Sequence, residues 1–307
     1  MKPITRILAA TDLSAPARHA VDRGFCIAAD THARYTVMHA TELDALDSLS
    51  DLLGADTREI KQRLADDARE TLQRLLADPA HNRGVAADAR IVSGAPLKVI
   101  ADEADALDAD LLIVGARGEA FLRHALLGST ASRLLRKSLR RPVLVVKQPP
   151  HESYRCLLIP VDFSPASAQA IRFGRQLART AEIVLLNAFE LPYEGKLRLA
   201  GVEDAAIHGY LQTAHRERRQ QLHQLAASAG LASGEYAPLV RHGEPAQLIA
   251  ALEQEQACDL VIIGKHGQRL SEDLLLGRVT KHVLAEAQCD VLVTSDIGTP
   301  RGHGSDA

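Results

Sequence analysis

The sequence predicts an α/β protein: two tandem, doubly wound domains, each a five-stranded parallel sheet between helices. Three observations carry that expectation. Short apolar runs rich in branched residues alternate with longer stretches of helical periodicity, and this order calls for parallel strands joined by right-handed helical crossovers. The series then occurs twice. Ile7-Leu8-Ala9-Ala10-Thr11-Asp12-Leu13-Ser14 recurs as Leu157-Leu158-Ile159-Pro160-Val161-Asp162-Phe163-Ser164, Val37-Met38-His39-Ala40 as Leu185-Leu186-Asn187-Ala188, and Ser93-Gly94-Ala95-Pro96 as His242-Gly243-Glu244-Pro245. Finally, the fourth apolar run of each half leads into spaced glycines, Gly115, Gly118 and Gly128 in the first and Gly264, Gly267 and Gly277 in the second. Landmarks kept in one order at a near-constant offset mark an internal duplication.

The first half shows how each element arises. Its first strand stops at Asp12; Ser14 is placed as an N-cap and Pro16 falls in the first turn of the helix that follows. Ala17, Ala20, Val21, Gly24, Phe25 and Ala28 give that helix an apolar face. A second strand is expected over Tyr35 to Ala40, and a long charged helix over Thr57 to Ala77, bounded by Pro79 and Gly84. Pairs such as Glu59 and Arg63 on that helix read as solvated i,i+4 contacts. Ala86 to Val92 reads as the third strand, and Gly94-Ala95-Pro96 opens a helix running through Leu107. Leu111-Leu112-Ile113-Val114 is apolar throughout, as a strand covered on both faces must be. A helix beginning near Ala131 and a last strand over Val143 to Val146 complete the unit. Gln148-Pro149-Pro150-His151-Glu152 is short and stiffened by two prolines, so the halves should dock closely. The expected domains are 1–148 and 153–296, with 297–307 a disordered tail; the second half carries an expanded charged segment from Tyr193 to Arg219.

Composition narrows the function. A chain of 307 residues has length for about two domains. Aromatics are only 3% with no Trp, which argues against a sugar platform or a base-stacking surface. A net charge of -3 supplies no field for a nucleic-acid backbone. Met1 to Ala10 lacks the pattern of a signal peptide, and no apolar run nears the about 18 residues of a membrane span. Four irregularly spaced cysteines make no disulfide framework. A reducing, cytoplasmic setting is the expectation.

The glycine-bearing strand is the candidate site. Gly115 and Gly118 allow a sharp turn and close approach of a ligand to backbone N–H groups. Gly128, Ser129 and Thr130 open a helix, whose unpaired amides and dipole suit a phosphate. In an open parallel sheet, ligands lie beyond the carboxyl ends of the strands where strand order reverses. If the first and fourth strands are neighbours there, Asp12 and the glycine loop face one crevice. Asp12 would repel phosphate, so it belongs toward ribose or base, while Ala40 offers backbone groups to an adenine edge. Arg117 reads equally as a phosphate contact or a solvated loop charge.

Gly-x-x-Gly, nine residues, then Gly-Ser resembles the nucleotide motif of the universal stress protein family. The strand-ending Asp12 with Ser14, and the closing run Arg141-Pro142-Val143-Leu144-Val145-Val146, resemble it too. The similarity covers nearly all of both halves and implies a tandem member with a Rossmann-like fold of the adenine nucleotide alpha hydrolase kind. It implies a stress-response role with ATP or another adenine nucleotide as ligand, with or without Mg. Carried over by position, the binding residues are Thr11, Asp12, Ala40, Gly115, Arg117, Gly118, Gly128, Ser129 and Thr130. Members of the family often dimerise through the last strand, so the expected partners include an intramolecular pseudo-dimer of the two halves, a homodimer and an unidentified protein that reads the nucleotide state. The second half keeps Asp162, Gly264, Gly267 and Gly277 but has Arg278 where a small hydroxyl residue is expected, and is read as weakly binding or structural.

A phosphate cradle without an evident base or acidic metal pair points to a regulatory binding protein; the alternatives are a slow ATPase and a dimerisation module with vestigial sites. His39 and His124 read as ordinary buried or surface residues rather than catalysts. The absence of Gly-x-x-x-x-Gly-Lys-Ser/Thr, Gly-x-Gly-x-x-Gly after the first strand, and Gly-x-Ser-x-Gly counts against P-loop, dehydrogenase and hydrolase chemistry. Cys156, Cys258 and Cys289 each precede a strand of the second half, on the edge opposite the crevice if those strands are adjacent. They read as small buried hydrophobes, since their spacing matches no zinc pattern.

Overall fold

A computed structural model describes residues 2–42, 57–116, 127–137, 141–191, 194–266 and 276–294. Arg117, Gly118, His124, Gly267 and the expected tail lie outside the described residues. The first half contains β1 (Arg6–Thr11), α1 (Ala15–Thr31), β2 (Arg34–Thr41), α2 (Thr57–Ala77), β3 (Ala87–Ser93), α3 (Pro96–Ala106), β4 (Leu111–Gly115), α4 (Ser129–Arg136) and β5 (Val143–Val146). The second contains β6 (Cys156–Pro160), α5 (Pro165–Leu177), β7 (Glu182–Phe189), α6 (Glu194–Leu199), α7 (Asp204–Ser228), β8 (Ala237–His242), α8 (Pro245–Glu255), β9 (Leu260–Gly264), α9 (Arg278–Glu286) and β10 (Asp290–Thr294).

All ten strands form one sheet in the order β3-β2-β1-β4-β5-β10-β9-β6-β7-β8. Within each half the pairs are parallel, and the halves meet edge to edge through β5 and β10, which run antiparallel with Leu144 opposite Leu292. The five-stranded parallel units expected from the sequence are therefore present, joined into a single sheet. Each strand points alternate residues to opposite faces. Ile7, Ala9, Leu111 and Ile113 face one core with α1, α2, α5 and α7; Leu8, Leu112 and Val114 face another with α3, α4, α8 and α9. Burial on both faces explains why these strands read as unbroken apolar runs. Among the described residues no helix is long and apolar enough to cross a membrane.

Local chemistry fixes the ends. Ser14 Oγ accepts the Ala17 amide at 3.3 Å to cap α1, and Ser164 Oγ caps α5 through Ser167 at the same distance. Asp110, just ahead of β4, accepts the Thr5 and Arg6 amides at 2.8 and 3.0 Å, tying the start of β1 to the start of β4. Burial pushes its carboxyl up, but these bonds and the Thr5 hydroxyl outweigh it and hold the pKa below the usual Asp value. Asp259 repeats the motif on Arg155 and Cys156.

Gly24 and Gly174 let the first helix of each half press onto the sheet. A Cβ on Gly24 would lie 2.1 Å from the hydroxyl oxygen of Tyr35, a fully buried side chain whose O–H donates to the Val21 carbonyl at 2.8 Å. On Gly174 it would lie 2.7 Å from Ile262 Cδ1. Gly24→Ala is expected to lower unfolding free energy by about 1–3 kcal/mol through overpacking, read as a drop in urea midpoint; an unchanged midpoint would show that Tyr35 has room to retreat.

Beyond the strand pairing, charged groups join the halves. Asp290, 1% exposed at the head of β10, receives the Lys147 amide at 2.8 Å and the Tyr154 hydroxyl at 2.7 Å, and forms an ion pair with the Arg23 guanidinium at 3.2 Å. Lys147 Nζ donates to the last carbonyls of α9, and Lys265 Nζ to the Lys137 carbonyl that ends α4 at 3.2 Å. Each ammonium thus sits at the negative end of a helix in the other half.

Candidate functional site

The strand order places the reversal of winding between β1 and β4: the chain moves from β1 to β2 and β3 on one side, then crosses to β4 and β5 on the other. Ala10 pairs with Val114 in that register, so Thr11 and Gly115 end neighbouring strands. This is the crevice the sequence anticipates at the carboxyl edge.

Its floor is built from β1. The Thr11 hydroxyl accepts the Leu13 amide at 3.0 Å, its carbonyl accepts His39 Nδ1–H at 2.9 Å, and Asp12 Oδ1 accepts the Ser14 amide at 3.0 Å. Those bonds flank Leu13, which lies in the left-handed region at φ 65°; Phe163 repeats the conformation, with Asp162 Oδ1 accepting the Ser164 amide at 3.0 Å. A non-glycine residue in that conformation costs about 1–3 kcal/mol; both side chains pack on the core, which offsets it. Asn187 stands in for His39, donating to the Val161 carbonyl at 2.8 Å. Ala40 lies near the end of β2, one residue beyond the Thr11–His39 pairing.

The other wall is α4. The Ala116 amide donates to Val146 at 2.8 Å and the Gly128 amide to Ala116 at 2.7 Å, which ties the helix start to the tip of β4. Those two N–H groups are spent on the protein. Gly128 caps the helix without a side-chain bond, and the first intrahelical bond runs from Ser132 to Gly128 at 3.0 Å. The amides of Ser129, Thr130 and Ala131 therefore have no partner among the described residues, as the first turn of an uncapped helix requires. The helix begins two residues earlier than the sequence suggests, so the Ser129 and Thr130 side chains belong to its first turn, exposed and half-buried respectively. Of the nine residues anticipated from the motif, seven are described, and all lie at this edge.

The second half repeats the frame and adds side-chain bonds along it. Lys265 and Gly277 amides donate to Thr294 and Lys265 carbonyls at 2.9 and 3.0 Å, matching Ala116 and Gly128. But Arg278, heading α9, donates to Glu244 Oε1 at 3.2 Å, and Glu244 Oε2 caps α8 through the Gln247 amide at 2.8 Å. Ser167 replaces Ala17 and donates to Asp162 at 2.8 Å. On the β7–β8 side of the same edge, His242 lies 3.1 Å from Glu194 with its ring tilted against Phe189 at 5.4 Å, and that ring also carries the Arg218 guanidinium at 4.7 Å. Arg278 alone was legible in the sequence. The repeat comparison held a further signal: Glu244 and Ser167 stand where the first half has Ala95 and Ala17. Among the described residues no group of three or more His, Cys, Asp or Glu is placed to hold a metal ion.

These features define a tandem α/β protein with one crevice edged by helix amides that have no partner among the described residues and a second edged by side-chain pairs of its own. The chain belongs to the universal stress protein family, whose model matches residues 3–147 and again residues 153–295. It is 27% identical over 257 residues to a universal stress protein of Mycolicibacterium smegmatis, covering 78% of this chain and 79% of that one. It is 25% identical over 192 residues to Universal stress protein Mb2028c of Mycobacterium bovis, covering 61% of this chain and only 62% of the relative's length. The crystal structure of a universal stress protein from Archaeoglobus fulgidus superposes with a TM-score of 0.63 over 95% of this chain and 98% of that chain, at 17% identity, which shows the shared fold.

Proposed function

We propose that the first half binds an adenine nucleotide, ATP above all, and that the protein acts by presenting a nucleotide-dependent surface to a partner. One observation carries this reading: α4 opens on three amides with no partner among the described residues, beside the tips of β1 and β4. Phosphate oxygens would take the Ser129, Thr130 and Ala131 amides together with the two hydroxyls, and a hydroxyl bond to an anion contributes about 1.5–3 kcal/mol. Asp12 would take ribose and Ala40 the adenine edge, with Gly115, Arg117, Gly118 and Gly128 completing the loop. Mg would arrive with the triphosphate rather than be held by a carboxylate cluster. The β5–β10 edge is read as an intramolecular substitute for a dimer contact, and the setting as cytoplasmic.

Calorimetric titration with ATP tests this reading, with one nucleotide expected per chain. Arg278→Ser combined with Glu244→Ala restores the first-half residues at both positions and is expected to raise the bound ATP toward two per chain. No ATP uptake by the wild-type chain would refute the proposal; unchanged stoichiometry in the double variant would show that the Arg278–Glu244 pair is not what closes the second crevice.

A further inference from the structure

The bases of β6 and β9 bring two thiols together. Cys156 opens β6 and Cys258 lies two residues before β9; Leu157 pairs with Leu260, and the Asp259 amide donates to the Cys156 carbonyl at 3.1 Å. Asp259 Oδ1 accepts the Cys156 amide at 3.1 Å in return, while the Cys258 amide is held by the Glu253 carbonyl at 2.9 Å. This clamps both backbones, and the two Sγ atoms lie 2.6 Å apart. An approach of about half an ångström takes them to bonding distance. Both cysteines are free, and their residues keep 8% and 6% of their surface exposed. Among the described residues no other pair of cysteines is in contact.

We propose that Cys156 and Cys258 are a dithiol that hydroperoxides oxidise to an intramolecular disulfide, closing a covalent loop around most of the second half. The Cys156 thiolate attacks a hydroperoxide oxygen, the O–O bond breaks, and the departing oxygen leaves as alcohol (water from hydrogen peroxide) after taking a proton. Cys258 then gives up its proton and attacks the Cys156 sulfur, expelling the sulfenic oxygen as water. Two thiols lose two electrons and two protons, and the hydroperoxide is reduced. Either thiol can donate to the other, so the step is written from Cys156, and the same balance holds with the roles exchanged; burial pushes both thiols up, which makes the reaction slow. Cys289 lies just ahead of β10 but is pushed up by burial and by the Glu253 carboxylate beside it, and it donates to the Asp290 carbonyl at 3.3 Å. It serves as the internal control. A loop this long constrains the unfolded chain strongly, so oxidation is expected to raise the melting temperature by several degrees. None of this depends on nucleotide binding.

The test is peptide mapping of the full chain after hydrogen peroxide treatment, with remaining thiols blocked by iodoacetamide in denaturant and no reductant. A Cys156–Cys258 linked peptide lighter by two hydrogens is expected, with Cys26 and Cys289 alkylated and the gain in melting temperature reversed by dithiothreitol. In Cys258→Ser, oxidation should stop at a Cys156 sulfenic acid that dimedone traps; the mapping of the native chain needs no variant. Free thiols at both positions after peroxide, sulfinic acid without linkage, or a bond to Cys289 or to a second chain would overturn the proposal.

Discussion

Replacing Asp290 by alanine lowers unfolding free energy by about 3–5 kcal/mol, the range for removing one member of a buried ion pair. Asp290 is 1% exposed and Arg23, on the first helix of the other half, 6%. The Arg23 guanidinium also lies 4.0 Å over the Tyr154 ring and donates to the Glu152 carbonyl at 2.8 Å, so it is fixed in place and cannot swing to solvent. Burial raises the pKa of Asp290, opposed by Arg23, the Lys147 amide and the Tyr154 hydroxyl. Donors converge on both carboxylate oxygens, the arrangement of an ionised acceptor. Alanine strands the guanidinium, the Tyr154 hydroxyl and the Lys147 amide together. Asp290→Asn keeps acceptor capacity and should lose less, and Arg23→Met added to it should recover much of the loss, because the uncompensated charge is then gone. Urea unfolding reads all three. A loss below about 1 kcal/mol for alanine, or no recovery in the double variant, would mean that the junction does not depend on this carboxylate.

Thr130→Asp should leave the fold intact and weaken ATP binding by roughly 30- to 150-fold. A carboxylate in the first turn of α4 suits the helix dipole by about 0.3–1 kcal/mol, so stability is unchanged or slightly raised. The same charge lies where the phosphates would sit. Two unit charges at 4 Å repel by about 4 kcal/mol near a protein surface; discounted for the partial exposure of Thr130, about 2–3 kcal/mol remains, which sets the fold-change. Unaltered affinity in a folded Thr130→Asp protein would place the nucleotide elsewhere.

Much of the fold is legible because its causes are local. Branched runs such as Leu111-Leu112-Ile113-Val114 can only be strands covered on both faces, and Ser14 and Ser164 announce their helices by side-chain chemistry. The long helix over Thr57–Ala77 lies where the sequence places it in outline, and the last strand over Val143–Val146 matches its expected bounds. The start of α4 was misplaced because it depends on a bond from Gly128 to Ala116, set by the return of the chain to β4. The meeting of β5 with β10 is equally illegible, since an apolar Val-Leu-Val-Val edge accepts any strand of matching length. Arg23 and Asp290 are charges that make sense only once two distant helix and strand ends are brought together. One hint existed: an Asp heads the apolar run of β10 where the repeat has Pro142. In the second crevice Arg278 signals a departure by itself, whereas its pairing with Glu244 depends on α8 and α9 packing side by side on one face of the sheet.

The central claim is that the N-terminal crevice holds an adenine nucleotide, and the direct measurement is mass spectrometry of small molecules released by denaturing freshly purified full-length protein. ATP, ADP or another adenine nucleotide at up to one equivalent per chain is the expected result. Protein that releases none, and whose melting temperature is unmoved by added ATP, would contradict it.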